Sequence, residues 1–102
     1  MSRTKYEVRL LRTAEDDLTD IIVYIAADRL TAAIKLSNRF NQKLSLLADN
    51  PQIGSKPKED SLVKLGYRYL ILDNYLIFYV IEERVIYIHR IIHGARDYTQ
   101  LL

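Results

Sequence analysis

The chain has 102 residues, 49% of them hydrophobic, as expected of a single globular domain over residues 1–102, and it contains no cysteine for a disulfide or a metal site. No apolar run is long enough to span a membrane and the N-terminus lacks the apolar core of a signal peptide, so we expect a cytoplasmic protein. The net charge of +2 gives nucleic-acid binding little support.

A strand and a helix are predicted at the start of the chain. Residues 6–10 alternate apolar and polar side chains, which is typical of a half-buried strand. Apolar residues then recur at helical spacing, at Ala14, Leu18, Ile21, Ile22 and Ile25. We expect this helix to begin at Thr13, whose hydroxyl would cap the first turn together with Asp16, and to end near Asp28.

A second helix is predicted over residues 31–49. Its apolar stripe consists of Ala33, Leu36, Phe40, Leu44 and Leu47. Pro51 disfavours the helical conformation at Asn50 and therefore ends the helix. Because the connection to the preceding helix is very short, the two helices are expected to form a hairpin.

The second half of the sequence predicts a loop and three strands. Residues 50–61 contain both prolines and one of the three glycines, which indicates a long exposed loop. Runs rich in Val, Ile, Tyr and Phe follow at residues 65–72, 75–81 and 85–92, separated by the turn signals Asp73-Asn74 and Glu82-Glu83. Such short turns predict an antiparallel meander.

The last two strands are apolar at nearly every position, so we expect them to be central and covered on both faces. The helices can cover one face, and either another part of the chain or a partner would cover the other. The predicted fold is α+β in the order β-α-α-β-β-β, with the helical hairpin packed on one face of a small antiparallel-rich sheet.

The candidate functional residues are cationic and cluster at the end of the last strand. They are Arg90, His93 and Arg96, which Arg68 of the first meander strand is expected to join. Guanidinium groups match phosphate oxygens, and Gly94 would let the backbone turn sharply beside them. The alternative is a set of weak surface ion pairs, in which Arg90 and Arg96 bind Asp97, Glu82 or Glu83.

Histidines and tyrosines offer further chemistry. His93, just beyond the strand, could act as a general acid or base, whereas His89 within the strand is interpreted as a hydrogen-bonded residue at the core edge. Eight tyrosines could stack on bases, but packing in the sheet with hydroxyls at its rim is the favoured interpretation.

The sequence resembles the RelE/ParE family of bacterial toxins from about residue 6 to residue 98. The resemblance lies in three segments, which are residues 14–25, 66–80 and 87–98, and the last ends in His-Gly-Ala-Arg-Asp, similar to the ParE and plasmid-stabilisation branch. It implies a toxin of a type II toxin–antitoxin module that arrests growth. A cognate antitoxin would hold it inactive, with a tail lying across the sheet and the helical hairpin.

Two mechanisms are known in this family, and the resemblance favours the ParE-like one, poisoning of DNA gyrase. The alternative is RelE-like ribosome-dependent cleavage of mRNA, in which His93, Arg96, Arg90 and Arg68 would be catalytic; otherwise they would bind the target. Residues 75–79 lack the arginine of the nucleases, and the late tyrosine is missing because Tyr98 follows Arg96 too closely.

A third possibility is a degenerate toxin that only binds antitoxin. A homodimer or a toxin–antitoxin hetero-oligomer is possible, and no cofactor or metal is implied.

Overall fold

The strands of the chain pair into one four-stranded sheet in the order β1-β4-β3-β2, and two long helices pack on it. The computed structural model describes residues 5–102. The elements are β1 (Glu7–Leu10), α1 (Arg12–Asp28), α2 (Leu30–Asp49), α3 (Asp60–Lys64), β2 (Tyr67–Leu72), β3 (Tyr75–Glu82), β4 (Val85–His93) and a 3-10 turn (Tyr98–Gln100). This confirms the predicted α+β fold. Neither long helix of the described chain has an apolar stretch that could cross a membrane.

The two most apolar strands, β3 and β4, occupy the centre of the sheet, as the sequence predicts. β2, β3 and β4 are antiparallel neighbours, whereas β1 runs parallel to β4. The first turn is at Asp73-Asn74, as predicted, and Asp73 adopts a φ of 54°. The second turn lies one residue later than predicted, because Glu82 still pairs with Val85 at the end of the ladder.

The helical hairpin covers one face of the sheet. α1 and α2 are separated by a single residue, Arg29, which forces them to lie side by side. Their apolar stripes meet the sheet in one core that contains Ala14, Leu36, Phe40, Leu47, Leu70, Leu72, Ile77, Tyr79, Ile86, Ile88 and Ile91. Burial of each large apolar side chain contributes about 1.5–3 kcal/mol, so this core is the main source of stability.

The chain itself covers the second face of the sheet. The sequence left open whether another part of the chain or a partner covers this face. Phe78 at its centre is fully buried. Leu62 of α3 packs against this cluster, and so does the C-terminal segment (residues 98–102) through Tyr98, Leu101 and Leu102. The Tyr98 ring lies 4.8 Å from that of Phe78, and its hydroxyl donates a hydrogen bond of 3.0 Å to Glu59.

The prediction of an exposed loop over residues 50–61 is therefore only partly correct. α3 begins within it at Asp60, and both Gly54 and Pro57 are buried. A five-residue helix is too short to show helical periodicity in the sequence. Its position depends on the burial of Leu62 against the second face of the sheet, which is a tertiary contact.

The start of α1 also differs from the prediction. The helix begins at Arg12, and Thr13 does not cap it, because the Thr13 hydroxyl donates a hydrogen bond of 2.9 Å to the His89 carbonyl of β4. β1 pairs with β4 only as far as Ile88, so the outer edge of β4 needs other partners beyond that point. α1 supplies them, since the Ile91 amide donates to Asp17 over 2.9 Å.

Candidate functional site

Three of the four predicted cations line one small cleft at the end of β4. The cleft has a volume of about 170 Å³, and its walls include Arg90, His93 and Arg96 together with Asp17, Asp20 and Tyr75. β4 provides Arg90 and His93, the following turn provides Arg96, and α1 provides the two carboxylates. The cleft therefore has one basic side and one acidic side, and the surroundings of each cation decide what it can bind.

Arg90 is held within the protein framework. Its Nε and Nη2 donate to the two carboxylate oxygens of Asp17 over 2.7 and 2.9 Å, and its Nη1 donates to the Leu101 carbonyl over 2.9 Å. Only 22% of the Arg90 side chain and 16% of the Asp17 side chain are exposed. The hydrogen bonds that Arg90 donates to Asp17 raise the pKa of Arg90 above its ordinary value. Arg90 thus joins α1, β4 and the C-terminal segment.

This arrangement contradicts the surface ion pairs considered for Arg90. Its partner is Asp17 on α1, not Asp97, Glu82 or Glu83. Asp97 instead accepts hydrogen bonds from the amide and the hydroxyl of Thr99, and these hydrogen bonds lower the pKa of Asp97. Asp17 was not identified as a site residue from the sequence. The available signal was its spacing of one helical turn from Thr13, which places both side chains along the edge of β4.

Arg68 does not join the cleft. It pairs with Tyr79 in the β2–β3 register, whereas His93 pairs with Tyr75. The Arg68–Tyr79 pair and the Tyr75–His93 pair are therefore about 13 Å apart along the strands. The Arg68 guanidinium instead donates to the Gly54 carbonyl over 3.0 Å. Arg68 therefore holds the loop that follows α2. Of the four residues predicted to cluster, three lie together in the cleft.

Tyr79 holds the same loop from the core side. Its buried hydroxyl donates to the Pro51 carbonyl over 2.8 Å and accepts from the Gly54 amide over 3.0 Å. A Cβ atom on Gly54 would lie 2.4 Å from that hydroxyl oxygen, so the close approach requires glycine. Burial raises the pKa of Tyr79, which keeps the hydroxyl protonated as a donor. This tyrosine packs within the sheet, as the sequence analysis favoured.

His93 and Arg96 are the exposed members of the three predicted residues in the cleft. The His93 ring packs edge-to-face on Tyr75 with centroids 5.6 Å apart, and its Nδ1 accepts from the Ala95 amide over 3.2 Å. The neutral ring then carries its proton on Nε2, which is available to a ligand. The Arg96 amide donates to the His93 carbonyl over 3.0 Å, but the Arg96 guanidinium has no partner within residues 5–102.

The turn that carries Arg96 is anchored through its backbone. The Gly94 amide donates to the Asn74 carbonyl over 2.8 Å. Gly94 does not adopt a positive φ, so the turn does not need the conformational freedom that the sequence analysis assigned to this glycine. A fixed backbone with a free guanidinium can bind an anionic group without first losing an internal ion pair.

His89 is hydrogen-bonded, as predicted. It lies on the opposite face of the sheet from the exposed groups of the cleft, His93 and Arg96. Its Nδ1 lies 3.0 Å from the Tyr67 hydroxyl, and the two rings meet edge-to-face. His89 is the extra residue where β4 shifts register, because Tyr79 pairs with Ile88 and Phe78 pairs with Arg90. Burial lowers the pKa of His89 and raises that of Tyr67, so the tyrosine is the donor.

Comparison with known proteins agrees with this fold. The structure superposes on a chain from the chromosomal ParDE toxin–antitoxin system of P. aeruginosa with a TM-score of 0.71 and 18% sequence identity, covering 89% of this chain and 98% of the other. A chain of the RelBE2 toxin–antitoxin complex from Mycobacterium tuberculosis gives a TM-score of 0.58 and 22% identity, covering 87% and 98%. No curated protein sequence matches the chain.

The sequence itself identifies the family. The model of the ParE toxins of type II toxin–antitoxin systems, parDE, matches residues 8–98. This match includes both long helices, all of the sheet except Glu7 at the start of β1, and the Arg96 turn. The chain therefore belongs to the ParE toxin family of type II toxin–antitoxin systems.

Proposed function

We propose that this protein arrests bacterial growth by poisoning DNA gyrase, that it contacts its target through Arg96 and His93, and that a cognate antitoxin neutralises it. The observation that carries the proposal is the free guanidinium of Arg96 beside the free Nε2 of His93, on a turn whose backbone is anchored. These groups can bind a carboxylate or phosphate of a macromolecule without disturbing the fold.

The hydrogen-bond partners of Arg90 and Arg68 favour target binding over RNA cleavage. In-line cleavage needs a base, an acid and stabilisation of the charge on the phosphate. Arg90 is bound to Asp17, and Arg68 is bound to a loop carbonyl remote from the cleft. Tyr98 is bound to Glu59. Only two groups, His93 and Arg96, then remain for the reaction, which is an incomplete set.

An antitoxin partner is supported by the two structural neighbours, which come from toxin–antitoxin systems. In this chain the antitoxin would cover the cleft at Arg96, where an acidic side chain could pair with the guanidinium. Leu65, which precedes β2, and Ile71 near the end of β2 are exposed and offer further apolar contacts at the far edge of the sheet.

The test compares Arg96→Ala with the matched control Arg12→Ala, another exposed arginine. We expect both purified variants to melt within a few degrees of the wild type, because an exposed arginine contributes about 0–1 kcal/mol. Arg96→Ala should no longer arrest growth under matched expression, because loss of a desolvated charge contact costs about 2–5 kcal/mol of binding. Full toxicity of Arg96→Ala would contradict its assigned role.

The target is tested with purified gyrase and, in parallel, with a ribosomal translation system. The proposal expects gyrase-linked double-strand DNA breaks that Arg96→Ala abolishes and Arg12→Ala does not. Cuts at defined codon positions in mRNA, together with a cleavage rate that is about 100-fold lower in His93→Ala, would instead establish the endonuclease mechanism.

A further inference from the structure

The Arg96 cleft contains a free acid as well as a free cation. Asp20 of α1 lines the cleft and is exposed, and its carboxylate has no ion pair or hydrogen bond within residues 5–102. Asp17, the other acid of the cleft, is already bound to Arg90. The proposed function uses Arg96 and gives Asp20 no role.

The fold places Asp20 and Arg96 on two walls of the cleft that are anchored independently. α1 is fixed to β4 one helical turn before Asp20, where Asp17 accepts hydrogen bonds of 2.7–2.9 Å from groups of β4. The turn that carries Arg96 is fixed by the hydrogen bond of 2.8 Å from the Gly94 amide to the turn between β2 and β3. Two opposite charges therefore line one cleft, and neither must break an internal ion pair before it binds a ligand.

The charge of Asp20 acts on any group that binds Arg96. The cleft has a volume of about 170 Å³, so its width is comparable with the distance of about 8 Å over which charges act at physiological ionic strength. A phosphate bound to Arg96 would be repelled by Asp20, and its approach would take water from the Asp20 carboxylate without supplying a cation. A nucleic-acid backbone adds to this repulsion, because it carries a negative charge at every nucleotide.

A protein surface that presents one acid beside one base satisfies both charges of the cleft. Its carboxylate would accept hydrogen bonds from the Arg96 guanidinium and from Nε2 of His93, and its lysine or arginine would bind Asp20. Selection between two classes of partner needs a group that penalises the wrong class as well as one that attracts the right class. In this cleft Arg96 attracts an anionic group, and Asp20 penalises one that comes without a cation.

We propose that Asp20 determines the specificity of the cleft, which accepts a paired acid and base on the surface of a protein and excludes nucleic-acid phosphate. The inference rests on the proposed function, because the protein surface in question is that of the toxin's target. It deepens that function by naming the class of partner. RNA, the substrate of the alternative mechanism, is then the class that the cleft rejects.

The first measurement is the binding of a short labelled single-stranded RNA, followed by fluorescence anisotropy at physiological ionic strength. Asp20→Lys should lower the dissociation constant about tenfold or more, because a phosphate on Arg96 then meets two cations. The control Asp16→Lys makes the same charge change at an exposed acid of α1 that does not line the cleft, and should shift the constant less than about threefold. The double variant D20K/R96A should lose the gain.

The second measurement is growth arrest under matched expression in cells that lack the antitoxin. Asp20→Lys and Arg96→Ala should both lose the arrest, since each removes one of the two charges that contact the target. Asp20→Glu keeps the acid and should arrest growth as the wild type does, and so should Asp16→Lys. All variants should melt within a few degrees of the wild type, because an exposed side chain without a partner contributes little to stability.

Two outcomes would overturn the inference. The first is an Asp20→Lys variant that arrests growth as strongly as the wild type, and the second is one that binds the RNA no more tightly. The proposed function fails separately, when growth stops without gyrase-linked DNA breaks; the inference still stands if that arrest needs both Asp20 and Arg96. If the wild type does not arrest growth at all, the RNA measurement alone decides the inference.

Discussion

Arg90 and Arg96 lie in the same cleft at the end of β4 but have opposite surroundings. The Arg90 side chain donates hydrogen bonds to both oxygens of Asp17 and to the Leu101 carbonyl. The Arg96 guanidinium has no partner within residues 5–102. The same side chain therefore serves the fold at one position and is free for a ligand at the other.

The difference distinguishes a guanidinium that is bound within the fold from one that is free to bind a ligand. A half-buried guanidinium with a bidentate carboxylate is already satisfied, and removing it leaves that carboxylate without its partner. A free guanidinium on an anchored turn can be removed at little cost to folding, so its effect should appear only in binding. Stability and activity measurements on paired variants therefore test whether Arg90 and Arg96 differ in this way.

The largest effect on stability is expected from Arg90→Ala. We expect a loss of about 2–4 kcal/mol in the free energy of unfolding, below the cost of breaking a fully buried ion pair because 22% of the Arg90 side chain is exposed. Urea unfolding measures this loss, with Arg12→Ala as the control at about 0–1 kcal/mol. Equal stabilities of Arg90→Ala and Arg96→Ala would remove the distinction between the two arginines.

A smaller effect is expected from adding a methyl group at Gly54. The new Cβ atom would lie 2.4 Å from the Tyr79 hydroxyl oxygen and 2.8 Å from the Tyr69 carbonyl oxygen, so Gly54→Ala should lose about 1–3 kcal/mol in a urea unfolding experiment. The matched control is Gly94→Ala beside Arg96, where the nearest atom is 3.4 Å away and the loss should stay below about 1 kcal/mol. The reverse order would mean that the Arg96 turn, and not the Gly54 loop, is the rigid region.

The smallest effect concerns the pH dependence of stability at His89. Burial lowers the pKa of His89, so on acidification the unfolded chain takes up a proton that the folded protein resists. The stability is present above the unfolded pKa of about 6.5 and is lost as the pH falls through the lower folded pKa. Thermal melts between pH 7 and pH 5 should therefore decline more steeply for the wild type than for His89→Gln, whose amide oxygen can still accept from Tyr67.

Exposed His93 supplies the control for this measurement. His93→Gln is the matched substitution at a histidine whose ring lies at the surface of the cleft. If His93→Gln flattens the profile and His89→Gln does not, the titrating histidine lies in the cleft and not beneath Tyr67.

The two long helices, the four strands and the central position of β3 and β4 could all be predicted from the sequence. These features depend on apolar spacing within each segment, which is local information. The sequence also predicts that Arg90, His93 and Arg96 lie together at one end of β4. The last residues of a strand and the residues of the turn that follows it are neighbours in space as well as in sequence.

The partners of those residues, in contrast, depend on contacts between segments that are far apart in the sequence. Asp17 and Arg90 are 73 residues apart, Thr13 and the His89 carbonyl are 76 apart, and Tyr98 and Glu59 are 39 apart. No periodicity relates such positions, because each contact arises from how α1, α3 and the C-terminal segment pack on the sheet. The same packing covers Phe78, satisfies the outer edge of β4 and provides the partners of Arg90. The loop that follows α2 binds Arg68, and the Arg96 guanidinium keeps no partner within residues 5–102.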